Sequence, residues 1–557
     1  MAQSQTLLSG ALLAALLGLP ATTPAAPAAD EALIAAGERM YRQGVLPGGE
    51  RMTGIVQGDI ALSGEQVICG YCHRRSGIGA AEGQNVAPPV TGDMLYEPLR
   101  VPTSKPPLAP ELRPAYTDET LKRAIREGIG ADGQPLGPLM PRYRLSDDQL
   151  DVLLAYLKSM TTAPDPGVDD ENIYFATIVS STADAARRKA YLDVFESYFQ
   201  QKNVETRHES QRSEHAPRHK AWQYQPYRKW VLRLWELDGP EDSWPQQLQS
   251  YYDASPVFAV IGGLAPGSWE PIHQFCEANE VPCLFPNTDL PVAEDGSFYS
   301  VYFSNGVALE ADSIADHLSS DGLLSSKTVQ VRIQGDPKGQ EASERLAEHI
   351  HQHGGQAVDR VLESSSALTR DLWVDLASEA SDGILMLWLG RDETDGLWSA
   401  FPSLLADGKA PRRIYLATSF YGTEGSSIPP EVRDRLYLAH AYELPGRLPR
   451  LLARSTGWLK SKRIFAPDER VLQANAFFAL TMTRGGVSAI RGFFKRDYLL
   501  ERIEHMAENA SYTSVYPRFS LAPGQRFMSR GAYITQFEPG GSGKLVAKTD
   551  WTVPQTN

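Results

Sequence analysis

The feature that most constrains this chain is a pair of cysteines three positions apart, followed at once by a histidine, in Cys69-Gly70-Tyr71-Cys72-His73. This order is the attachment pattern of haem c, in which each thiol adds across one vinyl group and the histidine then binds the iron. A disulfide between Cys69 and Cys72, or a redox dithiol, would not need the trailing histidine, and no second cysteine pair lies at the spacing of a zinc site. The motif therefore predicts one covalently bound haem c, with His73 as its proximal iron ligand.

Two methionines near this motif are candidates for the sixth ligand of the predicted haem iron. Met140 lies in Gly137-Pro138-Leu139-Met140-Pro141, where the prolines on both sides restrict the backbone. Met94 follows the Pro88-Pro89 pair more loosely and remains the alternative. We favour Met140 because its rigid frame holds the thioether in place. A His/Met pair raises the reduction potential of a haem and suits electron transfer.

Residues from about 30 to 160 resemble the class I monohaem cytochromes c. Gly37 and Tyr41 match the glycine and the aromatic residue of that family's first helix, where it crosses the last helix closely. Pro88-Pro89 matches the segment whose carbonyl accepts the second ring N–H of the proximal histidine, and Leu139-Met140-Pro141 matches the distal-ligand loop. The resemblance implies an all-α cytochrome c domain. Such a domain exchanges single electrons with a redox partner, either a dehydrogenase or another cytochrome or oxidase.

The chain of 557 residues is too long for a single core, and its N-terminal and C-terminal parts have different sequence patterns. Residues 1–28 are predicted to be a signal peptide, with an apolar run from Leu7 to Leu19 and small residues before the expected cleavage site. The segment before this run has no Lys or Arg, so an uncleaved anchor stays open. The predicted domains are a cytochrome c domain at 29–162, a linker at 163–171 and a second domain at 172–557. No later segment is long and apolar enough to span a membrane, and we expect a periplasmic protein.

After residue 172, short apolar runs alternate with helical patterns. Strands are predicted at 173–180, 230–237, 257–262, 281–285, 328–333, 383–389 and 413–417. Such alternation is typical of parallel, doubly wound α/β sheets, and the length of this part favours two lobes. The net charge of −14 comes from 68 acidic and 54 basic residues without a basic stripe, which argues against a nucleic-acid partner.

Several stretches of this second part resemble the type I periplasmic binding proteins of the branched-chain amino-acid type. They include Gly262-Gly263-Leu264, the segment 281–289 and the segment 331–340. The resemblance implies two Rossmann-like lobes that close on a small organic ligand held at strand ends and helix N-termini. The residues that match ligand positions, or fall in segments of the facing lobe, are Ser268, Asn287, Thr288, Tyr302, Trp388, Phe420 and Tyr421. A helix cap, a turn and core packing are their structural alternatives.

The two remaining cysteines, Cys276 and Cys283, lie seven positions apart between a predicted helix and a predicted strand. In an oxidising compartment this spacing predicts a disulfide. Two small buried apolar side chains are the alternative.

Three functions compete on these grounds. The favoured hypothesis is an exported electron carrier whose second domain docks a partner or binds a small molecule. The alternative is a solute-binding protein for ABC-type uptake or sensing, with an accessory haem domain. An oxidoreductase with its substrate near the haem is the weakest, because the sequence evidence for haem is strong and the evidence for a ligand rests on family resemblance alone. Other catalytic patterns are absent: the chain lacks a G-x-S-x-G elbow, and its Gly540-Gly541-Ser542-Gly543-Lys544 segment departs from the phosphate-loop pattern.

Overall fold

The structure, a computed structural model, describes residues 26–57, 59–82, 85–101, 111–215, 228–509, 513–522, 524–538 and 543–555. The chain divides into two units between Thr161 and Thr162. Most of the predicted signal peptide lies outside the described residues, and its last three residues begin the first helix. No helix in these ranges is long and apolar enough to cross a membrane.

The N-terminal unit combines helices with short strands. Its described helices are α1 (Ala26–Gln43), α2 (Cys69–His73), α3 (Gly92–Leu95), α4 (Asp118–Glu127) and α5 (Asp147–Ser159). Its described strands are β1 (Thr53–Val56), β2 (Ile60–Ser63), β3 (Ala80–Glu82), β4 (Asn85–Ala87), β5 (Leu99–Val101), β6 (Glu111–Arg113) and β7 (Arg142–Tyr143). This mixed content differs from the predicted all-α domain. The Gly- and Pro-rich connections between helices fold back on themselves, and their backbone groups pair in antiparallel ladders of two to four residues.

Both longer helices that follow the haem-type motif begin at capping boxes. The Thr117 side chain caps α4, and the Thr117 backbone N–H donates to the Thr120 hydroxyl at 2.8 Å. Ser146 caps α5, and Gln149 accepts from the Ser146 N–H at 2.9 Å. Each box satisfies backbone donors that the first turn of a helix leaves open. The leucines of α5 are buried at helical spacing and form the centre of this unit's core.

The C-terminal unit alternates strands and helices almost throughout. Its described strands are β8 (Asn172–Ser180), β9 (Lys229–Leu237), β10 (Ala259–Ile261), β11 (Cys283–Leu284), β12 (Ser300–Ser304), β13 (Thr328–Ile333), β14 (Ala357–Leu362), β15 (Ile384–Leu387), β16 (Arg413–Ala417), β17 (Leu436–His440), β18 (Phe527–Ser529), β19 (Tyr533–Phe537) and β20 (Leu545–Ala547). Its described helices are α6 (Ala185–His215), α7 (Trp244–Ala254), α8 (Glu270–Ala278), α9 (Gly306–Ser320), α10 (Pro337–Gln352), α11 (Arg370–Glu379), α12 (Arg391–Ala406), α13 (Thr418–Tyr421), α14 (Pro430–Arg433), α15 (Leu448–Leu451), α16 (Ala453–Ser461), α17 (Arg470–Ala489) and α18 (Arg496–Asn509).

These strands form two sheets, each the centre of one lobe. Among the described residues, the first lobe has the strand order β18-β12-β11-β10-β8-β9 and the second β14-β13-β15-β16-β17-β19-β20. All the pairs are parallel except those that β19 makes with β17 and with β20. The chain passes between the sheets after β12, after β17 and after β18. Every predicted strand overlaps an observed one, which confirms the alternation inferred from the sequence.

The predicted linker, residues 163–171, packs against the C-terminal unit. The backbone N–H of Asp165 donates to the Phe494 carbonyl at 2.9 Å. Gly167 adopts a φ of +92°, and a Cβ there would lie 2.0 Å from the Phe258 nitrogen. This stretch has the Pro and Gly content of a linker. Its contacts nevertheless make it the first segment of the C-terminal unit.

Candidate functional site

The haem-type motif forms the short helix α2, which carries both thiols and the histidine. Neither Cys69 nor Cys72 is in a disulfide; Cys72 is exposed and Cys69 half-buried. The Cys69 sulfur lies 3.8 Å from the Tyr143 hydroxyl, which itself donates to the Val67 carbonyl at 2.8 Å. Burial raises the pKa of Cys69 to about 11, so this thiol is protonated at neutral pH.

His73 is buried, and one of its ring nitrogens is fixed by the backbone. Its Nδ1 lies 2.9 Å from the Pro88 carbonyl oxygen, which can only accept, so Nδ1 carries the proton. Burial lowers the pKa of His73, and the ring is neutral with Nε2 as its free lone pair. A hydrogen bond from the remote nitrogen is the usual way to orient a metal-binding imidazole. The Pro88 contact is the one that the sequence resemblance implies.

The two candidate methionines occupy different surroundings. Met140 is half-buried and packs against the same hydrophobic core as Cys69. Its backbone N–H donates to the Gly137 carbonyl at 3.0 Å, which closes the turn between the two prolines. Met94 lies in α3, where its carbonyl accepts from the Arg113 guanidinium at 2.7 Å. The Met140 thioether therefore stands on a fixed turn beside the thiol-bearing core.

The first and last helices of this unit cross at a glycine. A Cβ on Gly37 would lie 2.5 Å from the Val152 carbonyl oxygen and 2.6 Å from the Tyr156 Cβ. Tyr41, one turn later, packs with its ring centre 5.4 Å from that of Tyr156, and its hydroxyl donates to the Arg74 carbonyl at 2.7 Å. Tyr41 thus links the helix crossing to the residue directly after His73. Free thiols, an oriented imidazole and a thioether are a donor set that fits haem c.

In the C-terminal unit, the predicted ligand residues Ser268, Asn287 and Thr288 follow adjacent strands of the first lobe. The Ser268 hydroxyl accepts from the N–H of Glu270, the first residue of α8, at 3.2 Å. The Thr288 hydroxyl accepts from the Leu290 N–H at 3.1 Å and so closes a turn. Both hydroxyls thus bind locally within the chain, and both residues are partly exposed at the strand ends.

Asn287 takes part in a side-chain pair that sequence reasoning missed. Its Nδ2 and its backbone N–H both point to the Gly263 carbonyl, at 3.4 and 3.0 Å. Its Oδ1 accepts from Nδ2 of Asn475, a residue of α17, at 3.1 Å. The two asparagines lie 188 positions apart, and no local pattern signals such a contact.

The predicted aromatic ligands Tyr302, Trp388 and Tyr421 are core residues. Tyr302 belongs to β12 of the first lobe, not to the facing lobe, and its hydroxyl lies 2.9 Å from Nδ1 of His273. The Trp388 indole donates to Gln330 at 2.8 Å, and both side chains are buried. Tyr421 is also buried. Large aromatic side chains near strand ends are commonly buried, and the ligand role of these three stays a prediction.

A polar cluster of the second lobe faces this edge of the first. The carboxylate of Glu310, on α9, accepts from the Thr418 hydroxyl at 3.1 Å and from the Ser419 N–H at 3.2 Å. Burial, assisted by the nearby charge of Asp289, raises the pKa of Glu310 to about 7. The Nδ1 of buried His440 lies 3.1 Å from the same Thr418 hydroxyl, and burial lowers the pKa of His440 to about 4.

One ion pair joins the two lobes directly. The Lys338 ammonium, on the first turn of α10, lies 2.8 Å from a carboxylate oxygen of Asp289. It also lies 3.3 Å from the Ser419 carbonyl and 4.8 Å from the centre of the Phe420 ring. The contact thereby brings the loop after β11 of the first lobe next to the first turn of α10 in the second lobe.

Comparison with solved structures finds proteins with a similar architecture. A branched-chain amino acid ABC transporter protein from Thermus thermophilus with bound valine is similar at 12% identity, with a TM-score of 0.50 over 69% of this chain and 97% of that chain. The C-terminal unit has the fold of the periplasmic binding proteins. It is called the binding-protein unit below.

Two further structures align less closely. A leucine-binding protein from Thermotoga maritima is 12% identical, with a TM-score of 0.47 over 69% of this chain and 99% of that chain. A fatty acid ABC transporter substrate-binding protein from Thermomonospora curvata is 15% identical, with a TM-score of 0.45 over 70% of this chain and 94% of that chain. No protein-family model and no curated protein matches the chain. At these identities the likeness concerns the fold.

The structure joins Cys276, at the end of α8, to Cys283, at the start of β11, in a disulfide with the two Cα atoms 6.1 Å apart. The bridge ties α8, which follows Ser268, to the strand that leads to Asn287. It therefore fixes the two loops that carry the predicted ligand positions relative to each other.

Proposed function

We propose that this chain is a periplasmic solute-binding protein that closes its two lobes on a small organic molecule, for ABC-type uptake or for sensing. The observation that carries this proposal is the convergence of strand carboxyl ends from both lobes, bridged by the contact of Lys338 with Asp289. In open α/β sheets, the crevice outside the carboxyl ends of the strands is where ligands bind. The Thermus protein of the same fold holds valine, which supports a small organic solute.

Binding in this arrangement works through the equilibrium between open and closed lobes. A molecule that touches both strand edges interacts more strongly with the closed form and shifts the population toward it. Polar residues lie at this edge in both lobes, Asn287 in the first and Ser419 in the second, and each is oriented by hydrogen bonds within the chain. A transporter or a receptor would then recognise the closed form.

A thermal-shift screen of the full-length protein against organic acids, amino acids, alcohols and amines tests this proposal. A ligand that binds only the folded state at a hundred times its Kd adds about 2.7 kcal/mol to the stability of that state. We expect at least one compound to raise the melting temperature in a dose-dependent manner. A broad screen without any stabilising compound would contradict solute binding and leave the unit as a docking surface.

We also propose that the N-terminal unit holds one haem c and exchanges single electrons with a periplasmic dehydrogenase, another cytochrome or an oxidase. The contact of His73 Nδ1 with the Pro88 carbonyl favours this second function, because it leaves Nε2 free for an iron. Cys69 and Cys72 would hold the group covalently and Met140 would complete its ligands. When bound, haem c supplies a one-electron redox centre.

A redox titration of the purified protein tests the second function separately from the first. We expect one reversible one-electron transition, followed in the visible absorption of the haem. Protein exported by a host with a working haem-attachment system, yet colourless and without such a transition, would contradict it. Neither result bears on the solute screen, so the two functions stand or fall independently.

A further inference from the structure

The loop that leads into α8 holds a carboxylate of the protein itself. Glu241 opens a short 3-10 turn, Glu241–Ser243, which follows β9. Its Oε1 accepts from the backbone N–H of Ser268 at 3.1 Å. A Cβ on Gly267, whose φ is +88°, would lie 1.8 Å from the same oxygen, so the glycine leaves the space that the carboxylate fills.

Two groups of Ser268 are therefore engaged within the chain. Its N–H donates to Glu241, and its hydroxyl oxygen accepts from the Glu270 N–H at 3.2 Å. The N-terminus of a helix favours an anion because its first N–H groups are unpaired. In this chain that position already holds a negative charge. A ligand carboxylate placed beside it would be repelled and would find the Ser268 N–H taken.

The neighbouring strand end presents the opposite kind of group. The Gly263 carbonyl can only accept, so the Asn287 atom that faces it is Nδ2, and Oδ1 of Asn287 faces Asn475. The Asn475 atom in that contact is consequently its donor, Nδ2. This leaves Oδ1 of Asn475 as a buried acceptor with no hydrogen-bond partner among the residues that the structure describes. Asn475 is 6% exposed, and an acceptor buried there without a partner is unfavourable.

We propose that the cleft binds ligands whose polar head donates hydrogen bonds and carries no negative charge, an alcohol or an amine, and that Glu241 and Asn475 determine this specificity. Glu241 excludes carboxylates from the start of α8, and Asn475 accepts the hydrogen of the ligand head. The inference rests on the proposed solute-binding function and narrows its ligand class. It departs from the carboxylate recognition that free donors at Ser268 would have provided.

Two matched probe series test this specificity in the full-length protein. The first is 2-phenylethanol, 2-phenylethylamine and phenylacetate; the second is butanol, butylamine and butyrate. Within each series the apolar body is nearly constant and only the head changes. We expect the alcohol or the amine of at least one series to raise the melting temperature and bind measurably in calorimetry, and the carboxylate to bind at least tenfold more weakly.

Variants of Glu241 separate its role from general charge effects. Glu241→Ala should strengthen binding of phenylacetate or butyrate at least tenfold, because it frees the Ser268 donor and removes the repelling charge. Glu241→Gln keeps an acceptor on Ser268 and should leave the carboxylates weak. Asp242→Ala removes a charge from the next, exposed position and should change nothing. Unchanged carboxylate binding in Glu241→Ala would overturn the assignment.

Variants of Asn475 test the acceptor. Asn475→Leu should lose binding of the alcohol and amine at least tenfold; unchanged binding in this variant would overturn the assignment of the acceptor. Should the leucine variant fail to fold, the comparison of the six probes on the wild-type protein still decides the proposal. Wild-type binding of carboxylates as tight as that of alcohols, or no binding by any of the six probes, also overturns it. A carboxylate hit in the broad screen would sink this inference alone, while the solute-binding function would stand.

Discussion

The ammonium group of Lys338, at the start of α10 in the second lobe, lies 2.8 Å from a carboxylate oxygen of Asp289 in the first lobe. The two side chains are 27% and 42% exposed, so water screens the pair more than it would a buried one. Such pairs contribute about 0.2–1 kcal/mol. The contact is nevertheless the direct ionic link between the lobes at the cleft, and we expect it to influence their closure more than the overall stability.

Lys338→Met should therefore shift the binding-protein unit toward open lobes. In small-angle scattering of the full-length protein, we expect a larger radius of gyration than for the wild type. Asp289→Asn should have the same effect, and the double variant should not exceed the larger single effect, because both remove one interaction. Lys189→Met, which breaks an exposed pair with Asp193 inside α6, is the matched control. Scattering of Lys338→Met identical to the wild type would show that the pair does not hold the lobes.

The predicted haem ligands give a spectroscopic test. The protein should keep its Soret absorption after acid-acetone extraction, because the two thiols of α2 would hold the haem covalently. Met140→Ala should abolish the weak Met–iron charge-transfer band of the ferric protein, while Met94→Ala should preserve it. Loss of the band in the Met94 variant alone would reassign the ligand.

The helix crossing at Gly37 predicts a large effect from a single methyl group. Gly37→Ala would place a Cβ 2.5 Å from the Val152 carbonyl oxygen, and α1 and α5 must separate to accommodate it. Overpacking of this kind costs about 1–3 kcal/mol. Thermal unfolding of the N-terminal unit within the full-length protein should shift to a lower temperature. Gly137→Ala, where no atom lies within 4 Å of the added Cβ, is the control and should be neutral. Equal melting of both variants would contradict the close crossing.

Local patterns sufficed for the strand alternation and the strand-end placement of Ser268 and Asn287. They did not suffice where contacts join distant segments. Asn475 meets Asn287 across 188 positions, and Glu310 meets Ser419 across 109. Nothing in either helix marks these residues, because a polar side chain on a buried helix face has the same sequence signature whether it binds a loop or a solvent molecule. The short strands of the N-terminal unit were missed for a related reason, since two to four residues carry no readable period.

The disulfide between Cys276 and Cys283 predicts which cysteines an alkylating reagent can modify. Alkylation of the intact denatured protein without reductant should add no group at either position. After reduction, both should be modified. Cys276→Ser should lower the stability of the binding-protein unit by about 2 kcal/mol, because a loop of this length gains that much from closure. Modification of Cys276 and Cys283 without reductant, located by peptide mapping, would contradict the bridge, whereas groups on Cys69 or Cys72 would not.

The last prediction concerns the pH dependence of stability, through Glu310. Its pKa in the folded state is about 7, against an ordinary value of 4.5, and burial is the main cause. The folded state therefore binds the proton more tightly than the unfolded state does. The contribution of Glu310 to stability consequently falls as the pH rises from 4.5 to about 7 and stays low above that, a change on the order of 3 kcal/mol.

Glu310→Gln removes this titration while keeping an acceptor for the Ser419 N–H. The variant should match the wild type near pH 5 and be the more stable of the two at pH 8, as measured by denaturant unfolding of the full-length protein. His440, whose pKa is lowered to about 4, opposes this trend in the wild type below pH 6.5. It is present in both proteins, so the difference between them isolates Glu310. Glu341→Gln, at an exposed position on α10, should show no pH-dependent difference. A constant gap between Glu310→Gln and the wild type from pH 5 to pH 8 would mean that Glu310 is not the group whose proton the fold retains.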